Sequence, residues 1–237
     1  MPLKELPLPR EHEIHLWYLH LGRLGSALQH ALGSEIPAGG MPAMSASQLR
    51  FTRRFYLRVL LGAYLGIAGK DVHINRSNRG KPVLDASRHS SDIKFSMAKS
   101  EDRVLIGISG THHVGVDLEP VSRRPSNALR LAQRYFSAGE YAALKRLGPL
   151  RIDEAFLRAW ACNEAVVKAS GLGIANQLCR FTVQMDPDLP PAMLASEDGD
   201  ADQWSMALVR PDEDFLAAVA SRQPRLEISC FHLLPAS

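Results

Sequence analysis

The segment from residue 150 to Gly171 constrains this chain most. Residues 150–170 read as one long helix that stops at a glycine, the residue type that most readily adopts the left-handed turn closing a helix. Around it stand short runs with strand character: 13–21, 93–97, 103–109, 113–118, 179–185, 204–209, 215–220 and 226–233. Further helices are expected at 23–32, from Ser45 or Ser47 to about 68, at 125–135 and at 137–147. The Gly-, Pro- and Ser-rich stretch 33–47 and the turn-rich 75–82 read as loops, and the acidic, Pro-containing 186–202 reads as a mobile loop. Helix plus several strands therefore occurs twice. The expected architecture is α+β, with two similar halves, residues 1–115 and 116–237.

Charge divides along the same line. Residues 1–115 carry 15 Lys and Arg against 9 Asp and Glu, whereas 116–237 carry 13 against 16. A basic half beside an acidic one suits an anionic ligand, with carboxylates for a cation in the second half; uneven surface decoration gives the same numbers. Three cysteines, Cys162, Cys179 and Cys230, form no C-x-x-C pair, which favours reduced thiols and a cytoplasmic setting. The N-terminal stretch carries acids and lacks a long apolar run, so neither a leader peptide nor a membrane span is expected.

Two constellations carry chemistry. In Gly115-Val116-Asp117-Leu118-Glu119, residues two apart on a strand point to one face, setting Asp117 and Glu119 side by side. Paired carboxylates select a hard cation, Mg²⁺ or alternatively Mn²⁺; a solvent-facing strand end before Pro120 would carry the same residues. On the long helix, Trp160, Glu164 and Lys168 stack at i, i+4 and i+8. Taken alone, this is equally an ordinary core tryptophan beside an exposed ion pair. Arg50, Arg54 and Arg58 form a stripe on the helix before residue 68.

Order and spacing say more than either piece. G-V-D-L-E, then Y-F-S-x-x-E-Y at 135–141, then W-x-x-x-E-A-x-x-K-x-x-G-x-G at 160–173 resembles the Sfp-type family of 4′-phosphopantetheinyl transferases, and Gly80-Lys81-Pro82 matches that family's G-K-P turn. The likeness runs from about residue 45 to 185. It implies a pseudo-twofold monomer with coenzyme A, as substrate, bound between the halves. It implies Mg²⁺ held by Asp117, Glu119 and Glu164, with Glu164 the base for the carrier serine, directly or through water. Lys168 and Lys81 would contact the pyrophosphate or the phosphate on the pantetheine side, and Arg58, with Arg54 as a second candidate, the 3′-phosphate. The partner would be an apo acyl, polyketide or peptidyl carrier protein.

This chain departs from the family at two places. Ala98-Lys99 stands where the family has Ser-His, so Lys99 would keep a cation by the phosphates. Asn163 stands where it has a lysine before the glutamate. These departures are the ground for a rival: a catalytically weak or inactive homologue that binds coenzyme A or a carrier. Nucleic-acid binding by the arginine helix is disfavoured by the acidic second half and the lack of a recognisable binding motif. Gly107-Ile108-Ser109-Gly110-Thr111 lacks the last glycine of a nucleophile elbow, and Gly171-Leu172-Gly173 follows a helix rather than a strand.

Overall fold

The computed structural model describes residues 5–31, 44–171, 173 and 178–235. Of the expected loop at 33–47, residues 33–43 lie outside the described residues, as does Leu172. Strand β1, Glu13–His20, leads directly into α1, Leu21–Ala31. Helix α2, Ala46–Leu65, starts at Ser45, whose hydroxyl accepts from Gln48 N–H while the Gln48 side chain accepts from Ser45 N–H. That reciprocal box satisfies two of the backbone donors a helix start leaves unpaired. The helix ends at left-handed Gly66, short of the expected 68. Residues 75–82 are more than a turn: β2, Ile74–Arg76, and β3, Pro82–Leu84, form a hairpin closed by Gly80 at φ 85°.

Strands β4, Lys94–Ser100, β5, Arg103–Ser109, and β6, Val114–Pro120, follow as expected. Helix α3, Ala128–Tyr135, begins after Asn127, whose side chain accepts from Arg130 N–H; α4, Ala138–Arg146, begins after Ser137. Helix α5, Pro149–Ser170, closes on left-handed Gly171. Strand β7 is Phe181–Val183, shorter than the expected 179–185 because Leu178–Arg180 make a 3₁₀ turn. Strand β8, Met193–Ser196, lies in the stretch expected to be a loop and pairs with β7. Strands β9, Trp204–Val209, β10, Phe215–Arg222, and β11, Glu227–Leu233, complete the chain.

Two main sheets result, in the orders β11-β1-β5-β4 and β6-β10-β9. Leu57, Leu60 and Leu61 of α2 pack with Trp17, Leu19 and Ile106 of the first sheet. Phe156, Ala165 and Val166 of α5 pack with Ala218 and Ala220 of the second. The sheets face each other through Leu16, Leu105, Val116, Leu118 and Val219. The layers therefore run helix, sheet, sheet, helix, an α+β arrangement in which sheet plus long helix occurs twice. The division drawn at residue 115 falls within β6, and β11 crosses it: β11 runs parallel to β1, with Trp17 opposite Phe231 and their rings stacked at 4.7 Å. No helix among the described residues is long and apolar enough to cross a membrane.

Candidate active site

Period-two alternation along β6 sends Val114, Val116 and Leu118 between the sheets and Gly115, Asp117 and Glu119 to the opposite face. Helix α5 lies on that face. A Cβ at residue 115 would stand 1.8 Å from Ala165 O and 2.4 Å from Ala169 N, so only glycine lets the helix come this close. The stripe Trp160, Glu164 and Lys168 then meets the strand. Lys168 Nζ donates to Asp117 Oδ1 at 2.6 Å, and Arg123 donates to Glu119 Oε1 while its guanidinium lies over the Trp160 ring. Asp117, Glu119 and Glu164 are 6%, 9% and 7% exposed.

Burial holds the Glu119 carboxyl above its ordinary value, with Asp117 adding to the rise and Arg123 opposing it. Glu164 is raised first by burial and further by Asp117 and Glu119, against the pull of Lys168. The three carboxylates predicted as a set thus share one electrostatic neighbourhood. As placed, no group of three His, Cys, Asp or Glu side chains among the described residues closes to the spacing of a metal cluster. Asp117 Oδ2 is buried without a hydrogen-bond partner, and Glu164 makes no hydrogen bond with its carboxylate among the described residues.

Beside this cluster, Arg79, Lys81, Phe95, Met97, Lys168 and Gly171 border a cavity of about 250 Å³ between the β2–β3 hairpin, β4 and the end of α5. Lys81 and Lys168 are brought together here. Lys81 already donates to Val114 O at 3.0 Å and Lys168 O at 2.6 Å, and burial pushes its pKa down to about 8. Arg54, Arg58 and Lys99 do not border this cavity. Arg58 is half-buried with Nε bonded to Val72 O at 3.3 Å; Arg54 is exposed; Lys99 is exposed at the end of β4, on the face it shares with Phe95 and Met97. Arg79 was not singled out from the sequence, though it sits in the turn just before Gly80.

Sequence reasoning also missed Glu140, of the Y-F-S-x-x-E-Y stretch. It is 0% exposed. Its carboxylate accepts from Asn163 Nδ2 at 2.8 Å, Val183 N–H at 3.0 Å and Ser137 N–H at 2.9 Å, so α4, β7 and α5 meet at one group. Burial raises its pKa, and those donors oppose the rise. Asn163 is therefore occupied in the core, on a different side of α5 from Lys168. Ala98 is buried in the cluster between the two sheets.

A family model described as the 4′-phosphopantetheinyl transferase superfamily matches residues 113–220. The 4′-phosphopantetheinyl transferase HetI of Nostoc sp. is 34% identical over 214 residues, covering 88% of this chain and 87% of its own length. The 4′-phosphopantetheinyl transferase AcpT of Salmonella typhi is 32% identical over 182 residues, 75% of this chain and 88% of its own. A human relative, L-aminoadipate-semialdehyde dehydrogenase-phosphopantetheinyl transferase, is 25% identical over 186 residues, 72% of this chain and 60% of its own.

Proposed function

This chain belongs to the 4′-phosphopantetheinyl transferase superfamily, and on that premise we propose that it moves the phosphopantetheine arm of coenzyme A onto a serine of an apo carrier protein, releasing 3′,5′-ADP. The observation that carries the reading is the meeting of Asp117 and Glu119 with Glu164 and Lys168 across the β6–α5 contact, beside a cleft bordered by two lysines.

Asp117, Glu119 and Glu164 are the residues that would hold a divalent ion. The donor chemistry fits: three carboxylates, all buried, repel one another, and one oxygen, Asp117 Oδ2, lacks a donor. When bound, Mg²⁺, or Mn²⁺ in its place, supplies charge stabilisation at phosphoryl oxygens. Lys168 and Lys81 put positive charge on the wall of the cleft where a pyrophosphate would lie. Arg58 and Arg54, as contacts for the 3′-phosphate, and Lys99, as a cation near the phosphates, belong to the same proposal, although they stand away from the cavity itself.

Chemically, the serine oxygen bonds to the β-phosphorus, the bond from that phosphorus to the ADP oxygen breaks, and the serine proton leaves to a base. Glu164 suits that task. It shares one neighbourhood with Asp117 and Glu119 beside the cleft, and its carboxylate has no competing hydrogen bond among the described residues, so it would take the proton directly or through a water. Most of the rate would come from charges placed beforehand. The rival reading, a catalytically weak or inactive homologue, rests on Asn163 and on Ala98-Lys99; Asn163 bonds to Glu140 and stands apart from the carboxylate cluster.

We read the protein as a cytoplasmic monomer acting on an acyl, polyketide or peptidyl carrier. The test mixes protein, coenzyme A, Mg²⁺ and a panel of apo carriers of the three kinds and follows intact mass. A phosphopantetheine adduct on at least one carrier is expected. Coenzyme A binding with no adduct on any of them overturns the proposal.

A further inference from the structure

Lys81 occupies a place that a phosphate ligand alone does not need. Its ammonium donates to Val114 O, at the start of the strand that carries Asp117 and Glu119, and to Lys168 O, one turn beyond Glu164 on the helix. Lys168 in turn donates its own ammonium to Asp117. One continuous set of bonds therefore runs from the β2–β3 hairpin through α5 to β6. The turn that presents Lys81 is itself closed, by Ser77 N–H to Lys81 O and Gly80 N–H to Ser77 O, both at 2.8 Å.

The β6–α5 contact is closest beside the point that this arrangement braces. At Gly115 the strand meets the helix backbone on backbone, with no side chain between them. Interdigitating side chains are what ordinarily resist sliding of one element over another. Here the two charge-assisted bonds of a largely buried ammonium, with the Lys168–Asp117 bond, take that part, and such bonds are stronger than neutral ones. An ammonium has three N–H groups, and two of them are spent on these carbonyls.

Resting on the transferase reading above, we infer that Lys81 is a positioning residue: it sets the spacing between Asp117 and Glu119 on β6 and Glu164 on α5, and so the cation affinity of the site.

The test is Mn²⁺ binding followed by electron paramagnetic resonance without coenzyme A, well below the melting transition of each variant. Lys81→Met should weaken Mn²⁺ about tenfold, the size of effect seen when the supports of metal ligands are removed. It should also lower kcat more than it raises KM for coenzyme A, while Glu164→Gln abolishes the signal. Unchanged Mn²⁺ affinity with a raised KM for coenzyme A overturns the inference and makes Lys81 a substrate ligand only. If Lys81→Met does not fold, Lys81→Arg carries the same test. Its larger, planar head keeps a cation in the cleft but changes the spacing that the ammonium holds between the two carbonyls, so Mn²⁺ affinity should fall, and unchanged affinity overturns the inference. Wild-type protein that takes no Mn²⁺ yet transfers phosphopantetheine sinks this inference alone; no Mn²⁺ and no transfer sinks the transferase reading as well.

Discussion

Glu164 combines burial, two acidic neighbours and a carboxylate with no hydrogen bond among the described residues, and each property has a measurable consequence. Glu164→Gln keeps the shape and removes the proton acceptor, so the rate of holo-carrier formation should drop by about 10²–10⁴. Its stability effect should go the other way. A carboxyl whose folded pKa is raised prefers its protonated form in the fold, so the folded state is penalised as pH climbs from the ordinary glutamate value through the raised one. In a buffer with chelator, Glu164→Gln should therefore melt progressively higher than wild type as pH rises through that window. Adding Mg²⁺ at neutral pH should raise the wild-type Tm more than the variant's, by binding linkage. Scanning fluorimetry reads both, and a variant less stable than wild type throughout would contradict the burial argument.

Helix α5 is held at several points along its length. At Gly115→Ala the new methyl meets backbone atoms of Ala165 and Ala169, which cannot yield as a side-chain tip does. Urea unfolding should show a loss of at least about 1–3 kcal/mol, and transfer should slow because Glu164 and Lys168 move off β6. Glu140→Gln is the second test of the same helix. The new amide turns an N–H₂ group toward the donors of Asn163, Val183 or Ser137, leaving a buried group unsatisfied. A loss of about 1–3 kcal/mol is expected. The capped start of α2 is a milder case: Ser45→Ala should cost about 1 kcal/mol, read by the same denaturation.

Across the whole molecule, β11 decides whether the first sheet is complete. It pairs with β1 over seven residues, stacks Phe231 on Trp17 and places Ser229 Oγ on Glu13 at 2.6 Å. Behind Trp17, Tyr64 Oη accepts from the indole N–H at 2.8 Å and meets His15 Nδ1 at 2.7 Å, joining β1 to α2. Truncation after residue 225 should therefore unfold the helix-backed first sheet and not merely shorten a tail. Loss of the native tryptophan fluorescence and of cooperative melting would report it; a truncated chain that melts as wild type does would show β11 to be dispensable.

Much of this was legible in the sequence. Periodicity of two placed Asp117 and Glu119 on one face, and periodicity near 3.6 stacked Trp160, Glu164 and Lys168, because both repeats follow from local backbone sterics that any chain carries with it. The strands β2, β3 and β8 escaped notice, since three or four residues are too few to display alternation. Other features belong to the tertiary structure alone: the uptake of the Lys81 ammonium by two carbonyls, the return of β11 to lie parallel with β1, and the burial of Glu140 under Asn163. Their partners are distant in the chain, 33 and 87 residues away for Lys81. Which distant groups meet is decided by how whole layers pack, not by the residues on either side of each one.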